Sequence, residues 1–210
     1  MSSGQVAKLV VLVLVLTVAA VAFWPDRADP NSEDAEERLR AIAQLSGRTD
    51  DESTNTLLSL TGDPKPHVAI AAVKAIAAAP RFSHAPLQRV LSRADSSPPA
   101  RAEAAAALGK CPKADVEVSV LTKILVSKTQ DPQVRAGAAR GLARRRDKTA
   151  LNELVEALED TDPRVRLWAI TAIGRTTALR FEYDAWTSPA KQQDELRFIK
   201  ETLRRRTSYK

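Results

Sequence analysis

The residues of this chain that could carry out chemistry are few and stand far apart. The 210 residues include two histidines, His67 and His84, and a single cysteine, Cys111. Metal sites and nucleophilic catalysis need several such side chains at close spacing, and none of the three has suitable neighbours. The sequence also lacks the short motifs of haem attachment, P-loops, serine hydrolases and zinc proteases. We therefore predict no catalytic residue, no metal site, no cofactor and no small-molecule substrate, so the chain is not expected to be an enzyme.

Positive charge is the more informative chemical feature, because it is unevenly distributed. From Asp26 to Leu60 there are 9 acidic and 4 basic residues, whereas from Thr61 to the end there are 17 acidic and 27 basic residues. A basic region of this kind attracts acidic peptides, anionic lipid headgroups or phosphate backbones. Which of these groups it can bind depends on the elements that position the charges.

Those elements follow from a phrase that occurs four times, with starting residues 32, 34 and 31 positions apart. Counted from each start, positions zero, +4, +7 and +8 are small or aliphatic and fall on one face of an α-helix. A unit of this length cannot bury such a stripe alone and must stack against neighbours, so the sequence predicts a helical repeat array. The four starting residues are Val68, Ala100, Val134 and Val165.

The residues around each phrase predict a second helix and a defined helix start. Asp131-Pro132 and Asp162-Pro163 combine an N-cap side chain with a proline in the first turn, and Ser97-Pro98 is a weaker version. A short leucine-rich run precedes each phrase, as in the segment from Leu151 to Leu158. Each repeat is therefore predicted to consist of an outer helix, a tight turn and an inner helix.

The sequence D-P-x-V-R followed by an alanine-rich helix resembles the HEAT repeat family over roughly residues 50–175. It is most similar to the short bacterial HEAT-like repeats that also occur in phycobilin lyases. The resemblance implies a hydrogen-bonded ladder of Asp and Arg side chains between successive repeats. The residues that match the ladder positions are Asp131, Arg135, Asp162 and Arg166, whereas the first copy has Ala69 where the arginine is expected.

Positions +3, +6 and +10 lie roughly opposite the stacking stripe and are predicted to be exposed, and basic side chains recur at +6 and +10. The resemblance implies that the inner helices line a concave surface, so these residues would form a basic track for an acidic protein partner. The track consists of Lys74, Lys110, Arg140, Arg144 and Arg175, with the aromatic ring of Trp168 among the arginines. Simple solvation of these charges, a nucleic-acid-binding solenoid and a role like that of the bilin lyases are the alternatives.

The N-terminal segment predicts attachment to a membrane. Leu9 to Trp24 is a run of 16 residues in which Thr17 is the only polar member. With its apolar flank this run approaches the roughly 20 residues that span a bilayer. It exceeds the usual core of a signal peptide, although Ala20-Val21-Ala22 resembles a cleavage site. We expect a single-pass anchor with extracytoplasmic repeats, and secretion after cleavage is the alternative. The same topology argues against nucleic acid as the partner.

These features together predict an all-α solenoid of about four HEAT-like helix pairs with capping helices at both ends. The predicted order is a membrane anchor or signal segment over residues 1–25 and an acidic linker with a capping helix over residues 26–48. The repeats follow over residues 49–178, and an aromatic loop with a C-terminal capping helix completes the chain over residues 179–210.

Overall fold

The computed structural model describes residues 28–79, 84–93, 95–111 and 114–207. None of the helices within these ranges is long and apolar enough to cross a membrane. The predicted membrane anchor, residues 1–25, lies outside the described residues.

Within these ranges the chain is all-helical and contains no strand. Ten α-helices follow one another: α1 Ala35–Leu45, α2 Asp51–Leu60, α3 Pro66–Ala77, α4 His84–Ser92, α5 Pro98–Leu108, α6 Ala114–Val126, α7 Pro132–Arg145, α8 Leu151–Glu156, α9 Pro163–Thr177 and α10 Gln193–Thr207. Three 3₁₀ turns, Lys148–Ala150, Ala157–Glu159 and Pro189–Lys191, complete the described regular structure. The predicted inner helices are α3, α5, α7 and α9, and their outer partners are α2, α4, α6 and α8.

The inner helices begin where the prolines and caps predict. The Asp131 carboxylate accepts a hydrogen bond from the Gln133 amide at 2.7 Å, and Asp162 accepts one from the Arg164 amide at 2.8 Å. Helix α3 also begins at a proline, but Lys65 occupies its N-cap and makes no capping hydrogen bond. A lysine side chain has only donors and cannot accept from the free helical amides.

The predicted stacking stripe is confirmed in all four inner helices. The apolar side chains at positions zero, +4, +7 and +8 are at most 6% exposed, and Gly141 at the remaining position is buried too. The densest packing between helices joins α5 to α7 and α7 to α9. Neighbouring inner helices therefore stack side by side in one continuous core, as a solenoid requires.

Close backbone contacts hold α5 and α7 together. A Cβ atom added to Gly137 would lie 2.3 Å from the Ala102 carbonyl oxygen, and one added to Gly141 would lie 2.6 Å from the Ala105 carbonyl oxygen. Gly137 (+3) and Ala106 (+6) are buried, so the prediction that these positions are exposed is wrong in the middle of the array. The reason is that the helices approach until their small residues meet.

The C-terminal segment packs on the last repeat. Helix α10 buries Leu196, Ile199 and Leu203, and Lys200 pairs with Glu159 at 2.8 Å. In the preceding loop the Tyr183 hydroxyl donates to the Leu158 carbonyl oxygen. This segment therefore covers apolar surface that an open repeat end would expose to water.

Candidate functional site

An arginine–aspartate ladder connects successive repeats. The Arg135 guanidinium donates through Nε and Nη2 to the two carboxylate oxygens of Asp160, both at 2.9 Å, and its Nη1 donates to the Gln130 carbonyl oxygen at 2.5 Å. The side chains of Arg135 and Asp160 are only 5% and 1% exposed. This bidentate pair therefore joins helix α7 to the turn before α9 inside the core.

The aspartates named from the sequence lie beside this ladder rather than in it. The carboxylates of Asp131 and Asp162 accept the N-capping hydrogen bonds of α7 and α9, and Asp162 also pairs with the exposed Arg164. Arg166 donates to backbone carbonyl oxygens, those of Asp160 at 2.6 Å and Ala185 at 2.9 Å. The acidic member of the rung is thus Asp160, two residues before the expected Asp162.

A second arginine–aspartate rung has the same spacing, and this rung was not predicted from the sequence. Arg38 donates to Asp63 at 2.7 and 3.1 Å, and the two residues are 25 positions apart, as are Arg135 and Asp160. Each acid stands five residues before the start of a repeated phrase. Each of the two intervening rungs lacks one partner. Ala69 occupies the position of the arginine that would pair with Asp95, and Thr129 occupies the position of the acid that would pair with Arg101.

The incomplete rungs leave their remaining members with other arrangements. Asp95 pairs with the nearby Arg93 at the surface. The buried Nε of Arg101 has no hydrogen-bond acceptor among the described residues. Among the described residues, the buried arginine–aspartate rung is therefore complete in two places, Arg38–Asp63 and Arg135–Asp160, and incomplete in the two repeats between them.

The contacts of the ladder also determine the pKa of Asp160. Its burial by itself would raise the pKa of the carboxyl group, but the hydrogen bonds from Arg135 and from the Asp162 amide outweigh that effect. The pKa of Asp160 consequently lies below its usual value. The carboxylate is charged in the folded protein at neutral pH and completes the pair with Arg135.

The predicted basic track forms a compact group only in its C-terminal half. Arg140 on α7 donates to the Glu103 carboxylate on α5 at 2.6 Å and lies 6.0 Å from the ring centroid of Trp168 on α9. Three neighbouring inner helices therefore meet at one guanidinium. Glu103 is the residue of this contact that sequence reasoning did not assign to the site, because a pairing across helices cannot be read from one helix.

Arg144 and Arg175 carry the excess charge of this group. Arg144 donates to the Ala106 carbonyl oxygen at 2.6 Å, and Arg175 is exposed. Burial lowers the pKa of Arg144, and the positive charges of Arg140 and Arg175 lower it further against the opposing effect of Glu103. We call Arg140, Arg144 and Arg175 the arginine cluster. Within the described part of the chain no carboxylate forms an ion pair with Arg144 or Arg175.

The other two members of the predicted track stand apart from the arginine cluster. Lys74 on α3 and Lys110, which follows α5, are both exposed. Among the described residues, no hydrogen bond, ion pair or ring contact joins either lysine to the cluster. The structure therefore brings together Arg140, Arg144, Arg175 and Trp168.

An open pocket of about 340 Å³ lies next to the arginine cluster, between the first turns of α5, α7 and α9. Small residues form its floor and Trp168 with Leu167 forms one wall; Leu167 is 38% exposed. Arg140, Arg164, Glu103 and Gln133 complete its lining and form the rim. We call this cavity the anchor pocket. Its floor residues are Pro99, Ala102, Ala136 and Gly137.

The side chains considered first for chemistry are not gathered into a site. Cys111 is 1% exposed, and its carbonyl oxygen accepts a hydrogen bond from Arg145. His67 is exposed at the start of α3, whereas His84 lies at the start of α4. In the ranges that the structure describes, no group of three His, Cys, Asp or Glu residues is placed to hold a metal ion.

The family comparison agrees with this repeat architecture. A sequence profile described as HEAT repeats matches residues 28–109 and 118–185. No curated protein has a matching sequence. Among solved structures, an engineered protein from the Northeast Structural Genomics Consortium is similar at 22% identity and a TM-score of 0.47, over 83% of this chain and 93% of that one. A designed armadillo repeat protein in complex with the peptide (KR)4 is similar at 21% identity and a TM-score of 0.46, over 80% of this chain and 84% of that one.

Proposed function

This chain belongs to the HEAT repeat family, and we propose that it is a scaffold that captures an acidic segment of a partner protein on its inner helices. The arginine cluster is the observation that carries this proposal. Three guanidinium groups share one short stretch of α7 and α9, while the nearby Glu103 pairs with only one of them. An arriving carboxylate would relieve that repulsion and would accept hydrogen bonds from Arg144 and Arg175.

The surroundings of the cluster favour a protein segment over simple solvation. Charges of one sign that are only solvated usually stand apart from one another. Arg144 does not, since its burial and the nearby positive charges of Arg140 and Arg175 lower its pKa. The exposed apolar side chain of Leu167 and the half-buried Trp168 lie beside the charges. Aromatic and arginine side chains next to each other are typical of protein interfaces.

The double variant Arg144→Glu/Arg175→Glu should weaken the binding of a fluorescein-labelled oligo-glutamate peptide by at least about tenfold, because two attractive contacts become repulsive. Fluorescence anisotropy at low and at physiological salt measures this effect. Binding to the original protein should weaken as salt increases, since exposed charges are screened.

The matched control is Lys123→Glu/Lys148→Glu, which makes the same change of net charge at exposed positions outside the inner helices. It should bind the peptide nearly as the original protein does. Equal losses in both double variants would show that overall charge and not the arginine cluster attracts the peptide. Stronger binding of a single-stranded oligonucleotide than of the peptide would favour the nucleic-acid alternative.

We also propose that the apolar run from Leu9 to Trp24 anchors this scaffold in a membrane with the repeats on the extracytoplasmic side. Support comes from the sequence: the run is of nearly spanning length, and Trp24 stands where interfacial aromatics occur. An anchored scaffold would hold its partner at the membrane surface.

The anchor predicts that the full chain stays in the membrane pellet after alkaline carbonate extraction. A chain that begins at Asp26 should appear in the supernatant. A reporter that is active only outside the cytoplasm, fused after Lys210, should be active in the full-length protein. Release of the full chain with an intact N-terminus would contradict anchoring, and an inactive reporter would contradict the proposed side.

A further inference from the structure

We propose that the anchor pocket takes one apolar side chain of the bound segment and that acidic residues of the same segment follow about three positions away. This inference rests on the proposed function and adds to it the pattern of residues in the ligand. It follows from the different chemistry at the two ends of the inner helices.

The anchor pocket is suited to an apolar side chain. Its floor is made of Pro99, Ala102, Ala136 and Gly137, which offer little more than methyl groups, ring carbons and backbone. The volume of about 340 Å³ exceeds what a leucine side chain occupies, and the pocket is open to the surface. A leucine or phenylalanine side chain placed there would lie against Trp168 and remove apolar surface from water.

The charged groups at the rim of the pocket already form ion pairs. Arg140 binds Glu103, and Arg164 binds Asp162 at 2.7 Å. An acidic ligand residue at the pocket itself would compete with these carboxylates. Arg144 and Arg175, which have no carboxylate partner among the described residues, lie at the other end of α7 and α9.

The geometry of the helices sets the distance between the two parts of the ligand. Trp168 and Arg175 lie on the same helix, and seven residues at 1.5 Å each place them roughly 10 Å apart along its axis. An extended peptide covers about 3.3 Å per residue. An apolar residue in the pocket therefore places an acid about three positions away next to Arg144 and Arg175.

Three labelled peptides of equal charge and length test the proposal by fluorescence anisotropy. The first carries one leucine with two aspartates starting three positions after it, in a glycine–serine background. The second has alanine in place of the leucine, and the third has the two aspartates directly next to the leucine. The first peptide should bind about tenfold more tightly than the second, and also more tightly than the third.

Variants of the protein locate the effect. Leu167→Ser changes an exposed wall residue of the pocket, and Trp168→Ala removes the aromatic wall. Either change should reduce the preference for leucine over alanine. Trp186→Ala, at a residue that is 66% exposed and does not line the pocket, is the control and should leave the preference unchanged.

The outcomes separate this inference from the proposed function. Equal binding of the leucine and alanine peptides, with binding still lost in Arg144→Glu/Arg175→Glu, would overturn the anchor pocket and leave acidic capture in place. A leucine preference that persists in both pocket variants would also overturn it. Equal affinity for the first and third peptides would overturn the spacing. If none of the three peptides binds while the oligo-glutamate peptide does, only this inference is overturned. If the oligo-glutamate peptide also fails to bind, the proposed function fails too.

Discussion

Replacement of Asp160 by alanine should lower the free energy of unfolding by about 3–5 kcal/mol. The change leaves the guanidinium of Arg135 charged and enclosed, because that side chain is only 5% exposed and has lost both carboxylate acceptors. The Asp162 amide loses an acceptor as well. Urea unfolding followed by far-UV circular dichroism measures the loss.

Asp162→Ala is the matched control, because it removes an aspartate two residues away that caps α9 and pairs with the exposed Arg164. Loss of an N-cap costs about 1 kcal/mol. Replacing both Arg135 and Asp160 by apolar residues of similar size should cost less than removing Asp160 alone, since no unpaired charge stays buried. Equal losses for Asp160→Ala and Asp162→Ala would contradict the role of Asp160 in the ladder.

The pH dependence of stability should report the same carboxylate. The pKa of Asp160 is lowered in the folded state, whereas an aspartate in the unfolded chain has a pKa of about 3.9. The pair therefore contributes its full stability above the unfolded pKa, and the contribution is lost as the pH falls through the folded pKa. Asp160→Asn should remove this part of the acid destabilisation.

Gly137→Ala should destabilise the protein although alanine is the better helix former. The exchange favours an isolated helix by up to ~1 kcal/mol. In α7, however, the new Cβ atom would lie 2.3 Å from the Ala102 carbonyl oxygen, and that backbone cannot rotate away. Overpacking in a core typically costs about 1–3 kcal/mol, so we expect a net loss. Thermal unfolding of the variant measures it.

Gly174→Ala is the helical control for this prediction. Its added Cβ atom would lie 3.1 Å from the Leu179 carbonyl oxygen, so the neighbouring segment would have to move by only a few tenths of an ångström. The helix propensity gained is the same, so its stability should change little. A Gly137→Ala variant as stable as Gly174→Ala would show that α5 and α7 can separate at no cost.

The sequence alone predicted the repeat architecture because stacking and helix initiation depend on neighbouring residues. The stripe at positions zero, +4, +7 and +8 is buried in every copy, and Pro132 and Pro163 begin their helices. The anchor pocket was not predictable in this way. It arises where Gly137, which looked like a surface position, is covered by a neighbouring helix and Trp168 projects from the next one.

The ladder shows the limit of motif-based assignment. Asp131 and Asp162 were expected both to cap a helix and to receive an arginine from the neighbouring repeat. The capping hydrogen bonds occupy these carboxylates at the surface end of the helix, so Arg135 reaches Asp160 instead. The relation of Arg38 to Asp63 and of Arg135 to Asp160 is visible in the sequence only once the spacing of 25 residues is known.

The glycine contacts between α5 and α7 also fix the order of the modules in this chain. The position that Gly137 holds in the third copy is held by Glu103 in the second and by Trp168 in the fourth. A shuffled protein with the fourth inner helix in the third place would drive an indole into the Ala102 backbone. The four units share one pattern of buried residues, but the inner helices of the second and fourth units cannot take the place of α7 without a clash at this position.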